Sequence, residues 1–276
     1  MATKMRRRKP KTTETVLRPI HPNAGIRADY QRRMDALIEE MHRSVVYWLT
    51  STYRRNEDRI IAEDESPADA LKRSISELSA RWLSRFDDMS KQMAEYFTQS
   101  VAKRTTAQMQ KILKDGGWTV EFKMTPAMRD IADATVSANV ALIKSIPQQY
   151  LPQVEGIVMR GVQNGRDLKV ISEELQSRLG VTKRRAKFIA LDQVNKATSA
   201  FNRARQIELG IEEAIWLHSH AGKIPRASHV KAGKEKTRFE VAKGWYDPDP
   251  KVSRHIQPGE LINCRCIGRS VVKGFS

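Results

Sequence analysis

Apolar residues recur along this chain at spacings of three and four for most of its length, so most of it reads as amphipathic helix. Met34, Leu37, Ile38, Met41, Val45, Trp48 and Leu49 form one stripe. Leu71, Ile75, Leu78, Trp82, Leu83, Phe86, Met89, Met93, Phe97 and Val101 form a second, which runs on to Leu113 and stops at Gly116-Gly117. The acidic stretch around Asn56–Asp69 is expected to be the loop between them, with Ser66 or Asp69 near the next helix start. Thr125-Pro126 is an N-cap and N1 pair for a helix through Ile146, which Pro147 and Pro152 are expected to end. A short helix follows over 153–161. Asn164-Gly165 is a turn, and Asp167 opens a helix that ends at Leu179-Gly180. Thr182 then opens a helix whose stripe is Ala186, Ile189, Ala190, Val194, Ala197, Phe201, Ala204 and Ile207, terminated by Gly210.

The pattern changes after Gly210. Ala214–Leu217 reads as a strand, 218–235 as a basic loop, and Thr237–Val241 as a second strand. Residues 244–260 are rich in Pro and Gly, and Leu261–Val272 closes with another strand. Trp118–Phe122 is a short strand or a bridge. The expected fold class is α+β and predominantly α, with long N-terminal helices and a small C-terminal α+β module. Helix 183–209 is expected to pack there on a sheet containing 214–217 and 261–272. The predicted division is a basic flexible arm (1–25), a helical domain (26–160) and the module (161–276).

Composition adds a polyanionic partner. Lys and Arg number 49 against 32 Asp and Glu, a net charge of +17, which points to nucleic acid before an anionic membrane. Arg6, Arg7, Arg8 and Lys9 lie in the N-terminal arm. Lys183, Arg184, Arg185, Lys187, Lys196, Arg203 and Arg205 are expected on the outer face of their helix, with Lys223, Arg226 and Lys231 in the following loop. Of these, Arg6, Arg7, Arg8, Lys9, Lys183, Arg184, Arg185, Lys187 and Arg226 are the main candidates for non-specific contact with phosphates. No stretch of about 18 apolar residues predicts a membrane span, and the basic N-terminus, followed by no apolar run, does not read as a secretory signal.

The two cysteines, Cys264 and Cys266, make no disulfide framework. With His229 they form a candidate zinc set, and His218, His220 or His255 would be the fourth ligand. Cys-x-Cys is not a standard knuckle spacing, so the simpler reading makes the cysteines small buried hydrophobes and His229 a hydrogen-bonded structural residue. The expectation is no cofactor, with zinc as the alternative. A nuclease is weakly suggested by the same histidines, because the acids available (Glu235, Glu240, Asp247, Asp249 and Glu260) show no paired spacing and the "DPDP" segment reads as a turn. Asp192 and Lys196, four apart, are expected to pair on the helix surface. No phosphate-cradling Gly-rich loop, nucleophile elbow or HExxH is present.

Residues 184–272 resemble the phage head morphogenesis family, the minor head proteins similar to phage Mu protein F. The resemblance rests on "FIALDQVNKATSAFNRARQIELGI" (188–211), "AIWLHSH" (214–220), His229 and "PGELINCRC" (258–266). Asn202, Arg203, Trp216, His229, Pro258, Gly259, Cys264, Arg265 and Cys266 are the motif positions. Where the family often shows Asp-x-Arg before the histidine, this chain has Ala221 to Arg226. The resemblance implies a non-enzymatic minor capsid protein inside the head of a tailed bacteriophage, near the portal vertex. Its implied partners are portal protein, major capsid or scaffold protein, and double-stranded DNA bound without sequence preference. It implies a role in head assembly, DNA packaging or DNA delivery. The alternatives are a phage-borne nuclease or toxin domain and a generic basic DNA-organising protein.

Overall fold

The structure is a computed structural model describing residues 5–7, 14–57, 67–163, 168–221 and 224–273. Among them are five helices, α1 (Ala24–Glu57), α2 (Pro67–Asp115), α3 (Pro126–Gln163), α4 (Leu168–Glu208) and α5 (Ala227–Lys234). The strands are short: β1 (Met5–Arg7), β2 (Glu14–Val16), β3 (Trp118–Val120), β4 (Glu213–Leu217), β5 (Arg238–Glu240), β6 (Trp245–Asp247), β7 (Arg254–Ile256) and β8 (Ile267–Lys273). The fold is therefore α+β and predominantly α. The chain divides into two compact units, one of residues 28–95 and 136–190, the other of residues 1–27, 96–135 and 191–276.

The helical unit follows from its stripes. Met34, Leu37, Ile38, Met41, Val45 and Leu49 of α1 are buried, as are Leu71, Ile75, Leu78, Trp82, Phe86 and Met93 of α2, whereas Trp48 and Leu83 lie at the stripe edges and are exposed. Its buried polar groups are satisfied in pairs. The Tyr30 hydroxyl donates to Asn139 Oδ1 at 2.9 Å, and the Tyr150 hydroxyl lies 2.7 Å from His42 Nδ1.

Two expected breaks are absent. Thr125 caps α3 as predicted, its hydroxyl accepting the Met128 N–H at 3.2 Å. Pro147 and Pro152, however, lie inside the helix instead of ending it. Each removes a backbone hydrogen bond at a cost of about 3 kcal/mol. Ile143, Ile146, Tyr150, Leu151, Val154, Ile157 and Val158 are buried on both sides of them, and burying each such side chain contributes about 2 kcal/mol. The apolar face thus outweighs the breakers. Likewise α4 runs unbroken through Gly180, where a helical glycine costs only about 1 kcal/mol. Thr182 opens no new helix, since its hydroxyl donates back to the Arg178 carbonyl at 2.9 Å. The expected Asn164-Gly165 turn, the Asp167 cap and Ser66 lie outside the described residues.

The second unit holds a four-stranded antiparallel sheet in the order β2-β8-β4-β5, a β6–β7 hairpin and a β1–β3 pair. The strands expected at 214–217 and 237–241 are present as β4 and β5. The last strand starts at Ile267, leaving Leu261–Cys266 in turn and extended backbone. Several elements escaped the sequence pattern. Helix α5 lies in the stretch read as loop, β6 and β7 lie in the Pro/Gly-rich stretch, and β2 extends the sheet at its edge. The arm is extended as expected at 14–16, but it is docked there, with Leu17 and Ile20 buried. Gly210 ends α4 at φ +67°, and the Ile211 N–H reaches back to the Gln206 carbonyl at 2.9 Å.

Candidate functional site

The densest cluster of reactive side chains lies in the sheet unit, where α5, the β6–β7 hairpin and the segment before β8 converge. Alternation along β4 buries Ala214 and Trp216. Trp216 is fully buried and stacks edge-on against His229 of α5, with ring centroids 5.1 Å apart. Trp245 of β6 flanks both rings, 4.8 Å from Trp216 and 5.9 Å from His229.

His229 is held at both nitrogens. Its Nε2 lies 3.0 Å from Asp247 Oδ2, and its Nδ1 lies 3.5 Å from Cys264 Sγ and 3.6 Å from Cys266 Sγ. Nε2 faces a carboxylate and Nδ1 faces the two sulfurs, so the tautomer that carries its proton on Nε2 turns the Nδ1 lone pair toward the sulfurs. All four residues are buried, Asp247 completely. Asp247 Oδ1 also accepts the Asp249 N–H at 3.0 Å. The turn read from "DPDP" is therefore real, and it aims a carboxylate at the histidine, a role the turn reading missed.

The two cysteines do not lie on a strand as expected, yet both point at His229. The hydrogen bond between them lowers the Cys264 thiol below its ordinary range and raises that of Cys266. Burial opposes the first effect and adds to the second. Backbone amides of Cys266 and Ser219 favour the thiolate forms of Cys264 and Cys266 respectively. Among the described residues, His229, Cys264 and Cys266 are the one group whose ligand atoms come within 4.8 Å of one another. His218, His220 and His255 stand outside it. His218 and His220 stack on each other, and His255 stacks on Tyr246. Burial and the neighbouring imidazoles lower the pKa of His218.

The other motif residues tie loops to the second half of α4. Ser199 donates to the Pro258 carbonyl, and Gly259 sits at φ +82°, where an added Cβ would lie 3.4 Å from the Asn195 carbonyl. Asn195 Nδ2 donates to the Cys264 carbonyl at 3.4 Å. Arg203 donates to the Val241 and Ala242 carbonyls, and Arg265 to the Ala221 carbonyl. Asn202 Oδ1 is buried without a hydrogen-bond partner. Asp192 pairs with Lys196 at 2.7 Å as expected, but it is buried rather than on the surface. It also accepts the Asn263 N–H at 2.7 Å, holding that residue at φ +59°.

The outer cationic face of α4 needs correction. Arg205 is buried, paired with Glu208 at 2.5 Å, bonded to the Lys123 carbonyl at 2.8 Å and stacked on Phe122. Ile207, expected in the apolar stripe, is 50% exposed. The stripe rotates because Gln206 is also drawn inward, donating to Ser270 Oγ of β8 at 2.7 Å. Among the phosphate candidates, Arg184 and Lys187 are exposed. Lys183 is paired with Glu39, Arg185 is half-buried and donates to Ser145, and Arg226 donates to the Ile262 carbonyl. Arg6 and Arg7 belong to β1. Arg8, Lys9 and Lys223 lie outside the described residues.

Comparison with known proteins bears on this same region. Residues 152–268 match the family described as Phage Mu protein F like protein. The matched segment contains every motif position from Asn202 to Cys266. A Haemophilus influenzae protein described as uncharacterized is 34% identical over 146 residues, which is 53% of this chain and 30% of that protein. The chain thus spans under a third of that relative's length. No solved structure matches. Among the described residues, no helix is long and apolar enough to cross a membrane.

Proposed function

We propose that this protein is a non-enzymatic minor head protein of a tailed bacteriophage, carried inside the head near the portal vertex. The observation that carries this reading is the family match over 152–268. In that segment the motif residues serve as ties of a packed unit: Trp216 and His229 fill its interior, and Arg203 and Arg265, together with Asp192, fasten loops. Such a unit is suited to adhesion. Its partners are portal protein, major capsid or scaffold protein, and double-stranded DNA. The excess of positive charge, +17 over the chain, favours contact with packaged DNA through counterion release. Arg184 and Lys187, exposed on α4, support this reading, as do Arg6, Arg7, Arg8 and Lys9 of the N-terminal arm.

Titrating the protein against duplexes of unrelated sequence at rising salt tests the DNA contact. Binding should be equal across sequences, and log K should fall linearly with log salt. A salt-insensitive interaction removes DNA from the partner set. Co-expression with the portal protein of the same phage, followed by affinity purification, tests the assembly contact. Incubation with DNA and RNA in the presence of divalent metals should yield no turnover; cleavage at an enzymatic rate would favour the nuclease reading.

A further inference from the structure

We propose that Cys264, Cys266 and His229 form a zinc centre that ties α5 to the segment just before β8, with Asp247 of the β6–β7 hairpin supporting it. Sequence spacing argued against it, because Cys-x-Cys alone is not a knuckle; the folded chain supplies the third ligand from α5. Three features of the geometry point to a metal.

The first is spacing. In a tetrahedral zinc site, bonds of about 2.3 Å to sulfur and about 2.05 Å to nitrogen put S and N roughly 3.6 Å apart. The observed separations from Nδ1 are 3.5 and 3.6 Å. The second is lone-pair direction. With the proton on Nε2, Nδ1 offers one lone pair, and a thiol hydrogen bond satisfies it with one sulfur, yet two sulfurs converge on it at nearly equal distance. A cation among them satisfies all three donors. The third is the support behind the ligands. Asp247 fixes the tautomer through Nε2, the carboxylate–histidine pairing that orients imidazole ligands and strengthens their basicity. Amides of Ser219 and Cys266 face the sulfurs.

Two thiolates and a neutral imidazole leave a zinc ion with no net charge, which suits a site where all three ligands are under 5% exposed. Binding releases the two thiol protons to solvent. Among the described residues no fourth His, Cys, Asp or Glu joins this set within 4.8 Å. The same triangle resembles a Cys–His–Asp nucleophile, but burial of all four side chains denies a substrate access to either sulfur.

The test uses the full chain, purified without chelators. Elemental analysis should find zinc at about one per chain. Exchange with Co²⁺ should give thiolate-to-cobalt charge-transfer absorption together with tetrahedral d–d bands. Cys264→Ser and Cys266→Ser should each abolish both signals. Because those variants risk misfolding, Asp247→Asn, which keeps the side-chain shape, is the second arm. It should weaken zinc retention against a competing chelator by about 10–100-fold. Folded wild-type protein that takes up neither Zn²⁺ nor Co²⁺ overturns the proposal. So does rapid alkylation of Cys264 in folded, metal-free protein, which would mark a reactive thiol instead. Unchanged zinc retention in Asp247→Asn removes the supporting role of the carboxylate and counts against the assigned ligand set.

Discussion

The helical unit and the sheet unit solve the burial of polar groups differently. In residues 28–95 and 136–190 the interior is apolar stripe against apolar stripe, and buried polar groups form separate pairs such as His42 with Tyr150. In the sheet unit, Asp192, Asn195, Arg205, Gln206, His229, Asp247 and Ser270 are all buried, and each is bonded to a partner. The first arrangement tolerates exchange of one hydrophobe for another. In the second, single side chains such as Asp192, Arg205 and Asp247 each hold more than one partner, so losing one side chain strands several groups in a low-dielectric interior. Family resemblance is concentrated in the second.

That contrast orders the expected effects of mutation. Trp216→Ala should be the most damaging, by about 4 kcal/mol, because it empties the space shared by His229, Phe239 and Trp245. Urea unfolding followed by tryptophan fluorescence measures it. Arg205→Ala should cost about 3 kcal/mol by leaving the Glu208 carboxylate in a buried setting without its guanidinium. The double variant with Glu208→Gln should recover part of that loss, and full additivity would mean that the pair is not coupled.

Tyr150→Phe in the helical unit should cost only about 1 kcal/mol. If it destabilises as much as Arg205→Ala, the two units do not differ in the way described. The same pair gives a pH test. Burial holds the His42 pKa below its ordinary value, so the unfolded chain takes up the proton first. Stability contributed by neutral His42 is complete above pH of about 6.5 and declines as pH falls from there toward the folded value. His42→Leu should flatten that limb of the stability curve.

The smallest effect is expected at the sheet surface. Glu14 and Glu213 lie below the usual carboxylate range, chiefly through hydrogen bonds from Arg238 and Lys273 respectively. Their contribution is present above pH of about 4.3 and is lost as pH falls through the depressed values. Arg238→Gln should weaken that acid limb slightly. Its effect should vanish at high salt, as befits exposed pairs.

The helical part of the fold was readable because a stripe such as Met34 to Leu49 is a local property of the sequence. Breaker residues misled where local cost was outweighed by the continuing face, as at Pro147, Pro152 and Gly180. In the sheet unit, Ala214–Leu217 announced itself by alternation and Gly210 by its stop. Strand β2 did not, because three residues carry no period and their partner lies more than 250 positions away. His229, Cys264 and Cys266 were visible as residue types, but their convergence was not. Asp247 was read for its prolines, and only the fold shows that one oxygen closes the turn while the other holds the histidine. Arg205 and Ile207 exchanged expected places because Glu208, Phe122 and Ser270 pull on that turn of helix from outside the local pattern.

The reading of this chain as a head component is tested most directly by quantitative mass spectrometry of purified, DNA-filled heads from the phage that encodes it. Peptides from the 152–268 segment should co-fractionate with portal protein at a few copies per particle. Heads and procapsids of normal composition that contain none of this polypeptide would contradict the account.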